Sequence, residues 1–118
     1  MEANNQNVRE RLLQATAGLL FMSESDYPFE LIQWNDPTEP TADFIRKVAG
    51  EAADSPVQEL EAEQFLNSGR YQRLLLVLQK ELSDLRAYKV GKINMPVYVV
   101  GRSREGSWLG VATRVVET

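Results

Sequence analysis

The chain has 118 residues, of which 43% are hydrophobic and 25% are charged, and this composition is typical of one globular domain spanning residues 1–118. It contains neither cysteine nor histidine, which excludes disulfides, thiol nucleophiles and metal sites built on thiolate or imidazole ligands. The formal net charge of −4 disfavours direct binding to nucleic acid, because that affinity comes mainly from lysine and arginine, and it favours a basic partner.

The first half of the chain alternates helical and extended patterns. Apolar residues recur on one broad face over residues 8–20, which predicts a first helix with Asn7 as its capping residue. The aromatic and branched segment at residues 28–34 predicts a strand. Thr41 is a good N-cap, and Gly50 is a good stop, so a short helix is expected between them.

The second half contains the clearest helical pattern and ends in extended segments. A brief strand at residues 57–60 and a helical turn around Phe65 come first. Leucines then recur at spacings of three and four, which predicts a helix over residues 71–85 that buries them in the core. These leucines are Leu74, Leu75, Leu78, Leu82 and Leu85. Extended segments near residues 88–90, at 97–100 and at 108–116 predict an antiparallel meander.

The order of these elements predicts the α+β class with a mainly antiparallel sheet, because helices precede and interrupt strands and the last strands are consecutive. The continuous apolar run at residues 97–100 is typical of a central strand that is buried on both faces. Helices are then expected on both faces, in a three-layer α/β/α sandwich.

Trp34 and Trp108 lie in predicted strands, where packing is the more natural role than partner contact.

No membrane segment is predicted, since the apolar stretch at residues 18–22 is far too short for a spanning or secretory helix and residues 1–7 are polar. A chain without cysteine suits a reducing compartment. We therefore expect a cytoplasmic monomer with no cofactor and no membrane contact.

Two acidic features are candidate partner-binding sites. The first is the hydroxyl-rich patch Ser23, Glu24, Ser25 and Asp26, directly after the first predicted helix. The alternative interpretation is an ordinary turn, in which the serines bond to their own backbone and the carboxylates stay solvated.

The second feature is the end of the sequence, where Glu117 and Thr118 follow the last predicted strand. Most chain ends fray and have no function. Here a strand held in the sheet would present the Glu117 side chain, the Thr118 hydroxyl and the terminal carboxylate from a rigid base. We interpret this end as a preorganised anionic tip.

Two blocks of the sequence resemble the nuclease A inhibitor-like (NuiA-like) family. The first is the run GLLFMSESDYPFE at residues 18–30, which looks like a signature segment of that family. The second comprises VYVVG at residues 97–101 and LGVATRVVET at residues 109–118, similar to the family's closing hairpin with its threonine terminus. The blocks lie in the family's order, and the helix and strand between them align, so the resemblance covers most of the chain.

The resemblance implies a three-layer sandwich likened to the pathogenesis-related-protein fold, and a non-enzymatic inhibitor of a sugar-non-specific, Mg-dependent nuclease of the nuclease A type. The family's key acid corresponds to Glu24, and its terminal threonine corresponds to Thr118. In the family these groups face the hydrated Mg²⁺ and the phosphate-binding arginines of the nuclease, so the inhibitor has no metal of its own. Glu117 and Asp26 would add negative potential that speeds the encounter.

The chain departs from the family pattern where residues 67–70 form a short connection before the long helix, because family members have a longer acidic and aromatic connection there. This departure leaves open an interaction module of the same fold with a different partner and no nuclease inhibition. A second alternative, an enzyme with Glu24 and Asp26 as an acid/base pair, is disfavoured because one polar turn does not provide the different environments that separate two pKa values.

Overall fold

The computed structural model describes residues 4–35 and 39–117. The helices and strands, in chain order, are α1 (Asn5–Thr16), β1 (Leu20–Met22), β2 (Asp26–Pro28), β3 (Glu30–Trp34), α2 (Ala42–Ala49), β4 (Val57–Leu60), α3 (Ala62–Phe65), a 3-10 turn (Gly69–Tyr71), α4 (Gln72–Glu81), β5 (Ser83–Val90), β6 (Asn94–Arg102) and β7 (Trp108–Val116). In the part of the chain so described, every helix is too short or too polar to cross a membrane.

A five-stranded antiparallel sheet with the strand order β3-β7-β6-β5-β4 forms the centre of the fold, and β1 pairs with β2 in a separate hairpin. The predicted antiparallel meander is confirmed, since β5 pairs with β6 and β6 pairs with β7. Strand β6 occupies the middle of the sheet and is buried from residue 95 to residue 101. The apolar run at residues 97–100 therefore marks a central strand, as predicted.

Buried side chains of the sheet alternate between its two faces, because successive residues of a strand point to opposite sides. On one face they meet α1 and α4 in the larger core, which includes Val8, Leu12, Leu74, Leu78, Val97, Val99, Leu109 and Val111. On the other face they meet α2 in the smaller core, which consists of Ile45, Tyr88, Val90, Tyr98, Val100 and Trp108. The described residues thus combine helices with an antiparallel sheet and a separate antiparallel hairpin, which confirms the predicted α+β class.

Helix α1 begins and ends earlier than the apolar pattern predicts. Its N-cap is Asn4, whose side-chain oxygen accepts a hydrogen bond from the Asn7 amide at 2.9 Å, so Asn7 lies inside the helix and the predicted cap was wrong. The helix ends at Thr16 because Gly18 adopts a left-handed φ of 71° and turns the chain back. Leu20, predicted as helical, begins β1.

Helix α4 covers Gln72–Glu81, so the predicted extension to residue 85 was also wrong. Leu82 is extended, with φ −125° and ψ 151°. Asp84 then takes a positive φ of 51°, and the pairing of β5 with β6 shifts between Ser83 and Arg86 in a bulge. The leucine spacing continues past the helix because Leu82 and Leu85 still pack in or against the larger core.

Helix α2 begins after Thr41 and ends before Gly50, as predicted. The Thr41 hydroxyl oxygen accepts a hydrogen bond from the Phe44 amide at 3.1 Å. Gly50 closes the helix with a left-handed φ of 70°. The strand predicted at residues 28–34 is present as β3 over Glu30–Trp34. Its predicted start was wrong, because Pro28 ends β2.

We expect Leu78→Ala to lower the free energy of unfolding by about 2–5 kcal/mol, because it removes fully buried methyl groups and leaves a cavity. Leu76→Ala is the matched control on the same helix, since Leu76 is exposed, and it should change stability by less than about 0.5 kcal/mol. Urea unfolding of both variants tests the assignment. Equal destabilisation by the two substitutions would contradict the observed helix face.

Candidate functional site

Strands β1 and β2 are joined by a tight turn at residues 23–25, which carries Glu24 at its tip. The pairing of Met22 with Asp26 places only these residues in the loop. The Ser23 hydroxyl donates a hydrogen bond to the Ser25 carbonyl at 2.9 Å and so closes the turn. Glu24, Ser25 and Asp26 are exposed, whereas Ser23 is half-buried. We call residues 23–25 the acidic turn.

The acidic turn is bonded to the end of the last strand. The Val116 amide donates to the Ser23 hydroxyl oxygen at 3.0 Å, and the Glu24 amide donates to the Val116 carbonyl at 3.3 Å. We call this pair of interactions the turn–strand bonds. The Thr113 hydroxyl donates to the Tyr27 carbonyl at 3.4 Å, which ties β2 to the same strand. The acidic patch and the end of the last strand, which were predicted as two separate candidate sites, are therefore neighbours in the fold.

Glu117 continues directly from β7 and is held at its backbone and its side chain. Its amide donates to the Ile93 carbonyl at 2.9 Å, in the turn between β5 and β6. Its carboxylate lies 3.6 Å from the Lys89 ammonium nitrogen. Thr118, the other predicted residue of this end, lies outside the described residues.

Glu24 and Glu117 line the same groove, a cavity of about 730 Å³ that we call the terminal groove. Its remaining walls come from β1, β4, α3, β5 and β7. They are formed by Phe21, Met22, Ser23, Leu60, Gln64, Phe65, Lys89, Val115 and Val116. Two carboxylates and one ammonium group give these described walls an excess of negative charge beside an apolar floor.

An aromatic cluster supports the groove from below. The Phe21 ring stacks on Phe65 at 4.4 Å and on Tyr71 at 5.2 Å between ring centroids. The buried Tyr71 hydroxyl accepts a hydrogen bond from the Met22 amide at 3.0 Å. These contacts anchor the strand that leads into the acidic turn, and sequence reasoning did not assign them to the site. The sequence signal for this cluster was the aromatic character of Phe21, Phe65 and Tyr71.

The predicted residues Ser25 and Asp26 belong to the hairpin but do not line the terminal groove. Asp26 pairs with Met22 at the start of β2. Glu24 and Asp26 are both exposed, and of the two only Glu24 lines the groove. Over residues 4–35 and 39–117, no group of three or more acidic side chains is arranged to hold a metal ion.

The opposite end of β7 carries positive charge. The guanidinium groups of Arg86 and Arg102 lie over the buried Trp108 ring, at 5.3 Å and 4.9 Å from its centroid. Arg86 also donates to the Tyr88 and Glu39 side-chain oxygens, and these bonds raise the pKa of its guanidinium. Trp108 is thus a core residue, as predicted, and its arginines lie at the far end of the strand from Glu117.

Comparison with known protein families gives a match over most of the chain. The family model described as nuclease A inhibitor-like protein matches residues 6–118. The match includes the acidic turn, the aromatic cluster and the whole of β7. A search among curated proteins finds no match.

Ser23→Ala removes both the bond that closes the acidic turn and one of the turn–strand bonds. We expect a loss of about 0.5–1.5 kcal/mol in unfolding free energy and faster hydrogen exchange at the Val116 amide, because that amide loses its acceptor. Ser25→Ala is the control, since it keeps the carbonyl that the turn uses. Amide exchange followed by NMR measures the effect, and unchanged protection of Val116 in Ser23→Ala would show that the hydroxyl does not hold the turn.

Proposed function

The chain belongs to the nuclease A inhibitor-like family, whose model matches residues 6–118, and on this premise we propose that it inhibits a sugar-non-specific, Mg-dependent nuclease of the nuclease A type by occupying its active site. The observation that carries the proposal is the pair of turn–strand bonds, because they bring Glu24 and Glu117 to one groove. The protein acts in this proposal as a ligand of the nuclease and has no catalytic role of its own.

The proposed mechanism is phosphate mimicry. A nuclease cleft holds phosphate oxygens between a divalent metal and guanidinium groups, and a carboxylate accepts the same charge-assisted hydrogen bonds. In the proposal, the Glu24 carboxylate takes the position of the scissile phosphate oxygens. Thr118 follows Glu117 in the chain, and its hydroxyl and carboxylate are proposed to face the same hydrated Mg²⁺ of the nuclease. Because a carboxylate has no phosphorus to attack, the complex is a dead end.

Preorganisation supports the role of Glu24. Binding is weakened by the entropy that a flexible loop loses when it becomes ordered in the complex. In the acidic turn this ordering is already present, since Ser23 is bonded to both Ser25 and Val116. The acidic turn therefore loses less entropy on binding, so more of the free energy of contact with the nuclease contributes to affinity.

Electrostatics supports a cationic cleft as the counterpart. The chain has a net charge of −4, and Glu24 and Asp26 are exposed on one hairpin. Such a surface speeds association with a positive cleft, and the effect weakens as salt increases. Lys89 near Glu117 offsets part of this negative charge and holds the Glu117 carboxylate against the groove wall.

We also propose that the sheet and its helices correspond to the three-layer α/β/α sandwich of the family and resemble the pathogenesis-related-protein fold. The helices α1 and α4 share a core with one face of the sheet, and α2 shares a core with the other. We propose a one-to-one complex, in which the acidic turn of one inhibitor monomer enters the active site of one nuclease.

A second candidate function is an interaction module with a different partner. The short connection before α4 favours it, because this segment is only a 3-10 turn in which the Ser68 hydroxyl accepts from the Arg70 amide at 3.3 Å. The longer connection of the family has no counterpart here. Tight interfaces depend on a few central contacts more than on their periphery, so inhibition remains the favoured proposal.

We expect wild-type protein to titrate a purified nuclease A-type enzyme, with Mg²⁺ present, to a one-to-one endpoint. Glu24→Ala should weaken inhibition by about 2–5 kcal/mol, because it leaves nuclease groups without their partner. Asp26→Ala on the same hairpin is the matched control and should act only through a smaller, salt-dependent effect.

Inhibition constants and melting temperatures are measured together, so that misfolding is distinguished from loss of contact. Equal inhibition by Glu24→Ala and wild type would remove Glu24 from the mechanism. A folded wild-type protein that leaves the nuclease fully active would favour the interaction module.

An affinity tag added after Thr118 should impair inhibition, since it replaces the terminal carboxylate with a peptide bond and places extra chain in the cleft. The same tag added before Met1 is the control and should leave potency unchanged. Unchanged potency of the C-terminally tagged protein would place the end of the chain outside the nuclease active site.

A further inference from the structure

Two exposed apolar residues lie next to the acidic groups of the terminal groove, Met22 in its lining and Ile93 through a backbone bond with Glu117. Met22 is 48% exposed and lines the groove beside Glu24. Ile93 is 59% exposed, and its carbonyl oxygen accepts the hydrogen bond of the Glu117 amide. Single exposed apolar residues are common on soluble proteins, so the position of these two beside the acidic groups is the informative feature.

The backbone of each residue is held by a hydrogen bond. The Met22 amide donates to the buried Tyr71 hydroxyl at 3.0 Å, while the Ile93 carbonyl accepts from Glu117 at 2.9 Å. The backbone is therefore fixed at both residues. Leu20 lies two residues before Met22 on β1 and is also exposed, so the apolar surface continues along that strand.

A carboxylate contact is strong only where water is excluded from it. Charge pairs that stay exposed contribute little net free energy and are screened by salt, whereas pairs that lose their water cost much more to break. Strong interfaces surround their central polar contacts with groups that exclude water, and a hydrogen bond strengthens when water is removed from it. Met22 beside Glu24 and Ile93 beside Glu117 have the positions that this arrangement requires.

We propose that Met22 and Ile93 are the apolar flanks of the inhibitory surface, which pack against apolar walls of the nuclease cleft and lengthen the lifetime of the complex. This inference rests on the proposed function. It also describes the partner, whose cationic, metal-containing centre is bordered by apolar surface on the sides that receive these two residues. Glu24 supplies the central polar contact, and the flanks slow dissociation by keeping water away from it.

The test measures association and dissociation rates with purified nuclease A-type enzyme and Mg²⁺ at two salt concentrations. Met22→Gln and Ile93→Gln should each dissociate about ten-fold faster, as expected when one large apolar side chain loses its burial. Their association rates and their dependence on salt should match wild type, because no charge has changed.

The matched controls are Val48→Gln and Leu76→Gln. These residues are 41% and 54% exposed and lie on helices α2 and α4, whereas Met22 lines the terminal groove and Ile93 is bonded to Glu117. They should dissociate at the wild-type rate. Melting temperatures are recorded for every variant, and Ile93→Thr replaces Ile93→Gln if the latter does not fold.

The outcomes separate the two levels of the proposal. Wild-type dissociation by folded Met22 and Ile93 variants, together with impaired binding by Glu24→Ala, would overturn the apolar flanks and leave the inhibitory function intact. Equally fast dissociation of the flank and control variants would also overturn the inference. Absence of any binding by folded wild-type protein would overturn both the flanks and the function.

Discussion

The Ser23 hydroxyl makes the interaction on which the terminal groove depends. It donates to the Ser25 carbonyl and accepts from the Val116 amide, so one side chain closes the acidic turn and fixes it to the last strand. Glu24 adds a backbone bond to the same Val116. Without the Ser23 bonds, the acidic turn would lose its side-chain closure and its side-chain link to β7, and a partner would have to order it.

The sheet gives this connection a rigid base. Strand β7 lies between β3 and β6, and its approach to β6 is so close at Gly110 that an added Cβ would overlap the Val99 carbonyl oxygen. A residue with a side chain would push the strands apart there. The aromatic cluster around Tyr71 supports the turn from the other side. The exposed carboxylates are therefore positioned by buried contacts, which explains how a polar turn can be both solvated and preorganised.

Local signals in the sequence were sufficient to predict much of the fold. The capping residue Thr41 and the terminating Gly50 delimit α2 because both act within one helical turn. The bounds of β7 were predicted correctly at residues 108–116 because turn residues precede it. The end of α4 was not, because Leu82 and Leu85 return to the same core after the helix stops, and leucine spacing alone does not distinguish a continued helix from a bulged strand.

Contacts between distant parts of the chain decide which residues form the site, and sequence patterns do not contain this information. Glu24 and the end of the chain were predicted as functional, yet Lys89 and Ile93 join the groove and its rim only through the packing of β5, β6 and residue 117. Ser23 was predicted to contact a partner or to bond its own backbone. The structure shows that it bonds its own turn and also a distant strand.

The central claim is that the acidic turn and the end of β7 form one surface that enters a nuclease active site. NMR amide shifts of isotope-labelled protein, recorded while an unlabelled nuclease A-type enzyme is added, test this claim most directly. The account predicts that the largest changes fall on residues 22–25, Ile93 and residues 116–117. Changes concentrated on α2, or around Arg86 and Arg102 at the far end of the sheet, with an unperturbed acidic turn, would contradict it.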